Sequence, residues 1–117
     1  MPAELDAQIR QALEQAQRIV IYSHVRPDGD AIGSLLGLSL ALEKAGKEVH
    51  MVLSDGVPRS FRHLAGSERI LRAPQGDYDL RIVVDASDPQ RIGGLLEGVN
   101  VDICIDHHVT NLMYARL

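Results

Sequence analysis

Ile19-Val20-Ile21-Tyr22-Ser23-His24-Val25-Arg26-Pro27-Asp28-Gly29-Asp30-Ala31-Ile32-Gly33-Ser34 decides the fold, because a short apolar run passes into a polar loop and then into a leucine-rich segment. Residues 19–22 are nearly all apolar, as in parallel strands covered on both faces. From 31 to 44, leucines at 35, 36, 38, 40 and 42 describe a largely buried helix. Asp28 or Asp30 stands near its start, and Gly46 follows its last turn as a C-cap. The unit is strand, loop, helix. His24, Asp28 and Asp30 fall within seven residues of one another in that loop, which makes it a candidate metal-binding loop at the end of a buried strand.

The same arrangement recurs twice downstream. Ile82-Val83-Val84 runs into Asp85, and the stretch Val101 to Ile105 runs into Asp106-His107-His108. Around these, Leu5, Ile9 and Leu13 recur at helical spacing with Ala12 and Ala16 beside them, so an amphipathic helix precedes the first strand and packs on one sheet face. Val49, Met51, Val52 and Leu53 form a second strand. Ser54-Asp55-Gly56-Val57-Pro58 then turns the chain into an irregular or briefly helical stretch carrying Phe61, Leu64, Ile70 and Leu71. A third strand covers 80–84, and Asp88-Pro89 opens a helix through Ile92, Leu95 and Leu96 to Gly98. A fourth strand covers 101–105. Strands alternating with helices predict an α/β fold: a Rossmann-like three-layer domain whose mainly parallel sheet has at least four strands flanked by helices.

Composition bounds the remaining choices. A chain of 117 residues makes one domain with a real core. At 45% apolar and 24% charged residues it has the make-up of an ordinary globular chain, and no apolar run approaches the roughly 20 residues of a membrane span. The single Cys104 excludes an intrachain disulfide, favours a reducing, cytoplasmic setting, and reads as a small buried hydrophobe. A net charge of −4 argues against a general nucleic-acid-binding surface, so attraction for phosphate must be local.

In open parallel sheets ligands bind outside the carboxyl ends of the strands, which is where His24, Asp28, Asp30, Asp85, Asp106 and His107 fall. Carboxylates crowded there without a cation would repel one another, and some would be forced to stay protonated. Divalent ions remove the conflict. Mixed imidazole and carboxylate donors suit manganese first, with cobalt, iron or zinc accessible and magnesium less favoured by histidine. Two such ions activate water near neutral pH and neutralise the charge that develops at phosphorus, which points to a phosphoesterase.

On these residues the chain resembles the DHH superfamily of phosphoesterases. The first motif, 24–34, is similar to the family pattern H-x-x-P-D-x-D-A-x-G-S; Val84-Asp85-Ala86-Ser87-Asp88 with Arg91 resembles the second, and 105–111 the third. Asp55-Gly56-Val57-Pro58 with Phe61 downstream resembles the RecJ-like branch that holds bifunctional oligoribonucleases and 3'-phosphoadenosine 5'-phosphate (pAp) phosphatases. The resemblance implies that His24 and Asp28 hold one divalent ion, that Asp30 and His107 hold a second, and that Asp85 bridges them. It implies that His108 faces the substrate phosphate and that Asp106 is the supporting carboxylate of the triplet, orienting a ligand imidazole. It implies short RNA, pAp or linear dinucleotides as substrates, and two Mn2+ ions as cofactors with Mg2+ or Co2+ as substitutes. The fourth aspartate motif and the C-terminal substrate-binding domain of the family do not occur within residues 1–117, so the resemblance implies the N-terminal part of a DHH phosphoesterase whose partner is the C-terminal domain of the same protein. Homodimerisation stays open.

Other features read more plainly. His50 and His63 match no motif and read as ordinary surface or hydrogen-bonded histidines. Asp88 and Arg91 read as a local pair shaping the second loop. Arg59, Arg62, Arg69 and Arg72, with only Glu68 among them, read as a solvated face or as contacts for RNA phosphates, the solvated face being commoner. Two further functions fit the same residues: a family II-like inorganic pyrophosphatase, and a non-catalytic metal-stabilised binding or dimerisation module.

Overall fold

The computed structural model describes residues 3–23, 29–54, 56–84 and 101–105, with the backbone alone for 3–6 and 30. Helix α1 is Ala3–Gln15, strand β1 Arg18–Tyr22, helix α2 Gly29–Lys44, strand β2 Glu48–Val52, strand β3 Leu80–Val84 and strand β4 Ile103–Ile105. Two 310 turns, Arg59–Phe61 and Ser67–Arg69, lie between β2 and β3. The expected helix at 89–98 lies outside the described residues. No described helix is long and apolar enough to cross a membrane.

All strand pairings are parallel, in the order β2-β1-β3-β4. The α/β fold with a parallel sheet is therefore the one expected. Alternation along each strand divides the core. Ile19, Ile21, Met51, Leu80, Ile82, Val84 and Ile103 face α1 and α2, against Ile9, Leu13, Ile32 and Leu35. Val20, Tyr22, Val52, Val83 and Val101 form the opposite face, with Tyr78. Ile19, Ile21 and Ile82 have 0% exposure, and burying each such side chain contributes roughly 1.5–3 kcal/mol. Val20 and Val83 are buried as completely on the other face. The central strands are thus covered on both sides, which is why they read as continuous apolar runs.

Boundaries differ from the sequence expectation in places. Helix α2 begins at Gly29, two residues before Ala31. Strand β4 begins at Ile103 because the Asp102 carboxylate accepts the Arg81 N–H at 2.9 Å, a place a carbonyl would fill in a regular ladder. The same device starts β1: the Asp79 carboxylate accepts the N–H groups of Gln17 and Arg18, each at 2.9 Å. Between β2 and β3 the chain packs along α2, and Leu71 then pairs in parallel with Val52.

Hydrogen bonds from the backbone N–H groups of Arg18 and Gln17 stabilise ionised Asp79 and hold its carboxyl below the ordinary carboxylate range. A lowered folded-state pKa means that the stability Asp79 lends is present above that ordinary range and is lost as pH falls through the lowered value. Denaturation followed from pH 6 to pH 2 should show this loss in the parent chain, and Asp79→Ala should be less stable at pH 6 with a flatter acid limb. An acid limb as steep in Asp79→Ala as in the parent would contradict the assignment.

Candidate functional site

The sheet order sets where a ligand can sit. From β1 the chain passes through α2 to β2 on one side, whereas β3 lies on the other side of β1. Connections therefore diverge between the carboxyl ends of β1 and β3, the position where open α/β sheets bind ligands.

The last rows of the sheet pair Tyr22 with Val83, Val83 with Cys104, and Val84 with Ile105. Ser23, buried at 1% exposure, donates its hydroxyl to the Val84 carbonyl at 2.8 Å and carries the alignment one residue beyond β1. Ser23, Val84 and Ile105 thus end three adjacent strands side by side. The next residues in the chain are His24, Asp85 and Asp106. With neighbouring strands about 4.8 Å apart, the three exits fall within roughly 10 Å of one another. Helix α2 opens on the same side, with Asp30 as its second residue.

His24, Asp28, Asp85, Asp106, His107 and His108 lie outside the described residues, as do Asp88 and Arg91; Asp30 is described by its backbone alone. Among the described residues no group of His, Cys, Asp or Glu could hold a metal ion.

Four of the described acids are engaged in structure. Asp79 and Asp102 accept backbone N–H groups, Glu43 binds Arg69 at 2.6 and 2.9 Å, and Glu48 pairs with Arg18. His50 is hydrogen-bonded, its Nδ1 lying 2.7 Å from the Tyr78 hydroxyl and its Nε2 3.5 Å from Glu48. His63 is exposed. Cys104 is partly exposed instead of buried, because it lies on β4, the last strand of the described sheet. Beside the exits, burial pushes the Tyr22 phenol upward, so it is a neutral hydroxyl around pH 7. An open cleft of about 780 Å³ lies at the opposite, amino end of the sheet between α1 and the start of β3. Its one carboxylate, Asp79, is already taken by two backbone N–H groups.

Ser23 carries no pattern that marks it for a role in the sequence. Its burial and its bond to β3 become visible only once β1 and β3 are seen to pair. The contact of the 310 turn Arg59–Phe61 with α2 was equally hidden: a β-carbon at Gly29 would stand 3.8 Å from the Phe61 ring.

A parallel α/β sheet whose switch-point exits lead into acids and histidines defines a class of proteins that bind ligands at the carboxyl edge. The chain belongs to the DHH family: residues 18–116 match the family's N-terminal domain. It is 38% identical over 118 residues to the bifunctional oligoribonuclease and PAP phosphatase NrnA of Thermus thermophilus, covering 97% of this chain and 34% of that protein. The NrnA of Mycoplasma genitalium is 39% identical over 84 residues, 69% of this chain and 26% of the relative. A probable manganese-dependent inorganic pyrophosphatase of Lactobacillus gasseri is 24% identical over 94 residues, 76% of this chain and 30% of the relative. Among solved structures, an exopolyphosphatase-related protein from Bacteroides fragilis superposes with a TM-score of 0.87 at 29% identity, over 95% of this chain and 36% of that one. The chain spans about a third of the length of the first of these relatives.

Ser23→Ala should lower stability by about 1–3 kcal/mol, since the buried Val84 carbonyl loses its partner. Urea denaturation would show a lower midpoint with an unchanged slope. An unshifted midpoint would mean that the bond does not hold β1 to β3.

Proposed function

We propose that this chain supplies the metal-binding core of a phosphoesterase that hydrolyses phosphate esters of short oligonucleotides or nucleotides, with nanoRNA, pAp and linear dinucleotides as its substrate class. The observation that carries the reading is the lateral alignment of Ser23, Val84 and Ile105, which sends three chain segments beginning with His24, Asp85 and Asp106 out of one end of the sheet. The names of the two 38% and 39% identical relatives support the oligonucleotide and pAp classes.

The donor set fits divalent ions, since it combines carboxylates with imidazoles and holds no thiolate. In this reading His24 and Asp28 hold one ion, Asp30 and His107 the other, and Asp85 both. Bound there, the ions supply water activation near neutral pH and charge neutralisation at phosphorus; manganese fits the donors best. Asp106 orients a ligand imidazole, and His108 hydrogen-bonds the substrate phosphate. The N–H groups at the start of α2 favour a phosphate oxygen beside them. The fourth aspartate and the substrate-binding domain come from elsewhere in the full-length protein, enclosing the substrate and excluding water.

Pyrophosphate is the competing substrate, and the 24% identity to a pyrophosphatase supports it less than the higher identities support nucleotides. Asp85→Ala in the full-length protein should reduce manganese-dependent release of phosphate from pAp by at least about a thousandfold, because one change damages both ion positions. Turnover within tenfold of the parent would refute the bridging role, and faster release from pyrophosphate than from pAp would favour the pyrophosphatase.

A further inference from the structure

Four arginines follow β2, and the structure separates them. The connection after β2 runs along one face of α2: Phe61 abuts Gly29, Gly66 lies against Leu36, and Arg69 grips Glu43 with two bonds. Gly29, Leu36 and Glu43 are spaced by seven residues, so each step is about 10 Å along the helix. Arg69 therefore sits roughly 20 Å from the start of α2, neutralised by its partner. Arg59 and Arg62 flank Phe61 at the opposite end, beside the residue that sits between Asp28 and Asp30 in the chain.

Arg59 and Arg62 are exposed, and among the described residues neither has a carboxylate partner. Arg62 is steadied from behind, its Nε donating to the Val57 carbonyl at 3.3 Å. No acidic residue occurs from 56 to 67, although the chain is acidic as a whole. Two guanidinium groups with no carboxylate partner among the described residues thus flank Phe61 at the start of α2, the helix that follows the sequence His24 to Asp28. A nucleotide chain at the proposed metal site has this need: its reacting phosphate meets the divalent ions, while the next phosphate lacks a counter-charge. Guanidinium groups suit that second phosphate, because their forked donors match its oxygens.

We propose that Arg59 and Arg62 bind the phosphodiester adjacent to the one being cleaved, forming a subsite that selects short oligonucleotide chains over single nucleotides. This rests on the phosphoesterase reading above. Arg72 continues the cationic strip along the same edge: it follows Leu71, which pairs with the end of β2, and its guanidinium lies over Gly56, where a β-carbon would stand 2.9 Å from Nε.

The test measures fluorescence anisotropy of a labelled pentaribonucleotide with the full-length protein in EDTA, across a salt series. The double variant Arg59→Ala/Arg62→Ala should bind about tenfold more weakly at low salt and lose roughly 1.4 from the log-log salt slope, about 0.7 for each phosphate contact on a single strand. Arg59→Lys/Arg62→Lys should keep most of the slope, and Arg69→Ala should leave it unchanged. Equal slopes for parent and double-alanine variant, an equal loss in Arg69→Ala, or no binding by the parent would each overturn the proposal. Manganese-dependent hydrolysis of bis(p-nitrophenyl) phosphate by the parent, measured in parallel, isolates the phosphoesterase reading: RNA binding with the expected slope changes but no hydrolysis would sink that reading and leave the subsite standing.

Discussion

The parallel pairing of β1 with β2 on one side and β3 on the other is the constraint on which the rest of the molecule depends. It places the central strand where connections diverge, and it brings Ser23 and Val84, the residues before His24 and Asp85 in the chain, side by side. The hydrophobic core makes that pairing stable, since the buried isoleucines of β1 and β3 together outweigh any single polar bond. The Ser23 hydroxyl adds alignment at the edge itself. Chemistry that needs donors from several distant segments needs such a rigid edge, because displacements of an ångström in positioned groups are costly.

Acidic residues at the two ends of the sheet have different employment. At the amino end, Asp79 and Asp102 each precede a strand and accept N–H groups from the neighbouring strand, replacing carbonyl acceptors where the ladder begins. Glu43 and Glu48 neutralise Arg69 and Arg18, and the Arg18 guanidinium also lies 4.8 Å over the Tyr78 ring. These acids are consumed by the fold. Asp28, Asp85 and Asp106 follow the carboxyl ends of β1, β3 and β4 in the sequence, and in the proposed function they act at the metal site instead. The arginines divide likewise: Arg69 serves α2, whereas Arg59 and Arg62, on either side of Phe61, have no carboxylate partner among the described residues.

The fold class was legible because buried parallel strands leave apolar runs at 19–22 and 82–84, each bounded by polar residues, and because α1 and α2 repeat apolar residues at helical spacing. Strand order was not legible, since nothing in the composition of β2 or β3 states on which side of β1 it packs. The start of β4 was misplaced by two residues because an aspartate side chain can imitate a backbone acceptor, which no hydrophobic pattern records. The path of residues 56–72 was hidden for a related reason: 310 turns lack the periodicity that marks a helix, so the seating of Phe61 on Gly29 appears only in three dimensions. For the candidate site, the sequence supplied the residue types and their places after strands. The structure supplies the adjacency of the exits.

Anomalous scattering from manganese in crystals of the full-length protein tests the central claim most directly. The account predicts two manganese peaks beyond the carboxyl ends of β1 and β3, one bonded to His24, the other to His107, and both within reach of Asp85. Peaks elsewhere, or side chains of His24, Asp85 and His107 turned into separate surroundings with no shared ion, would contradict it.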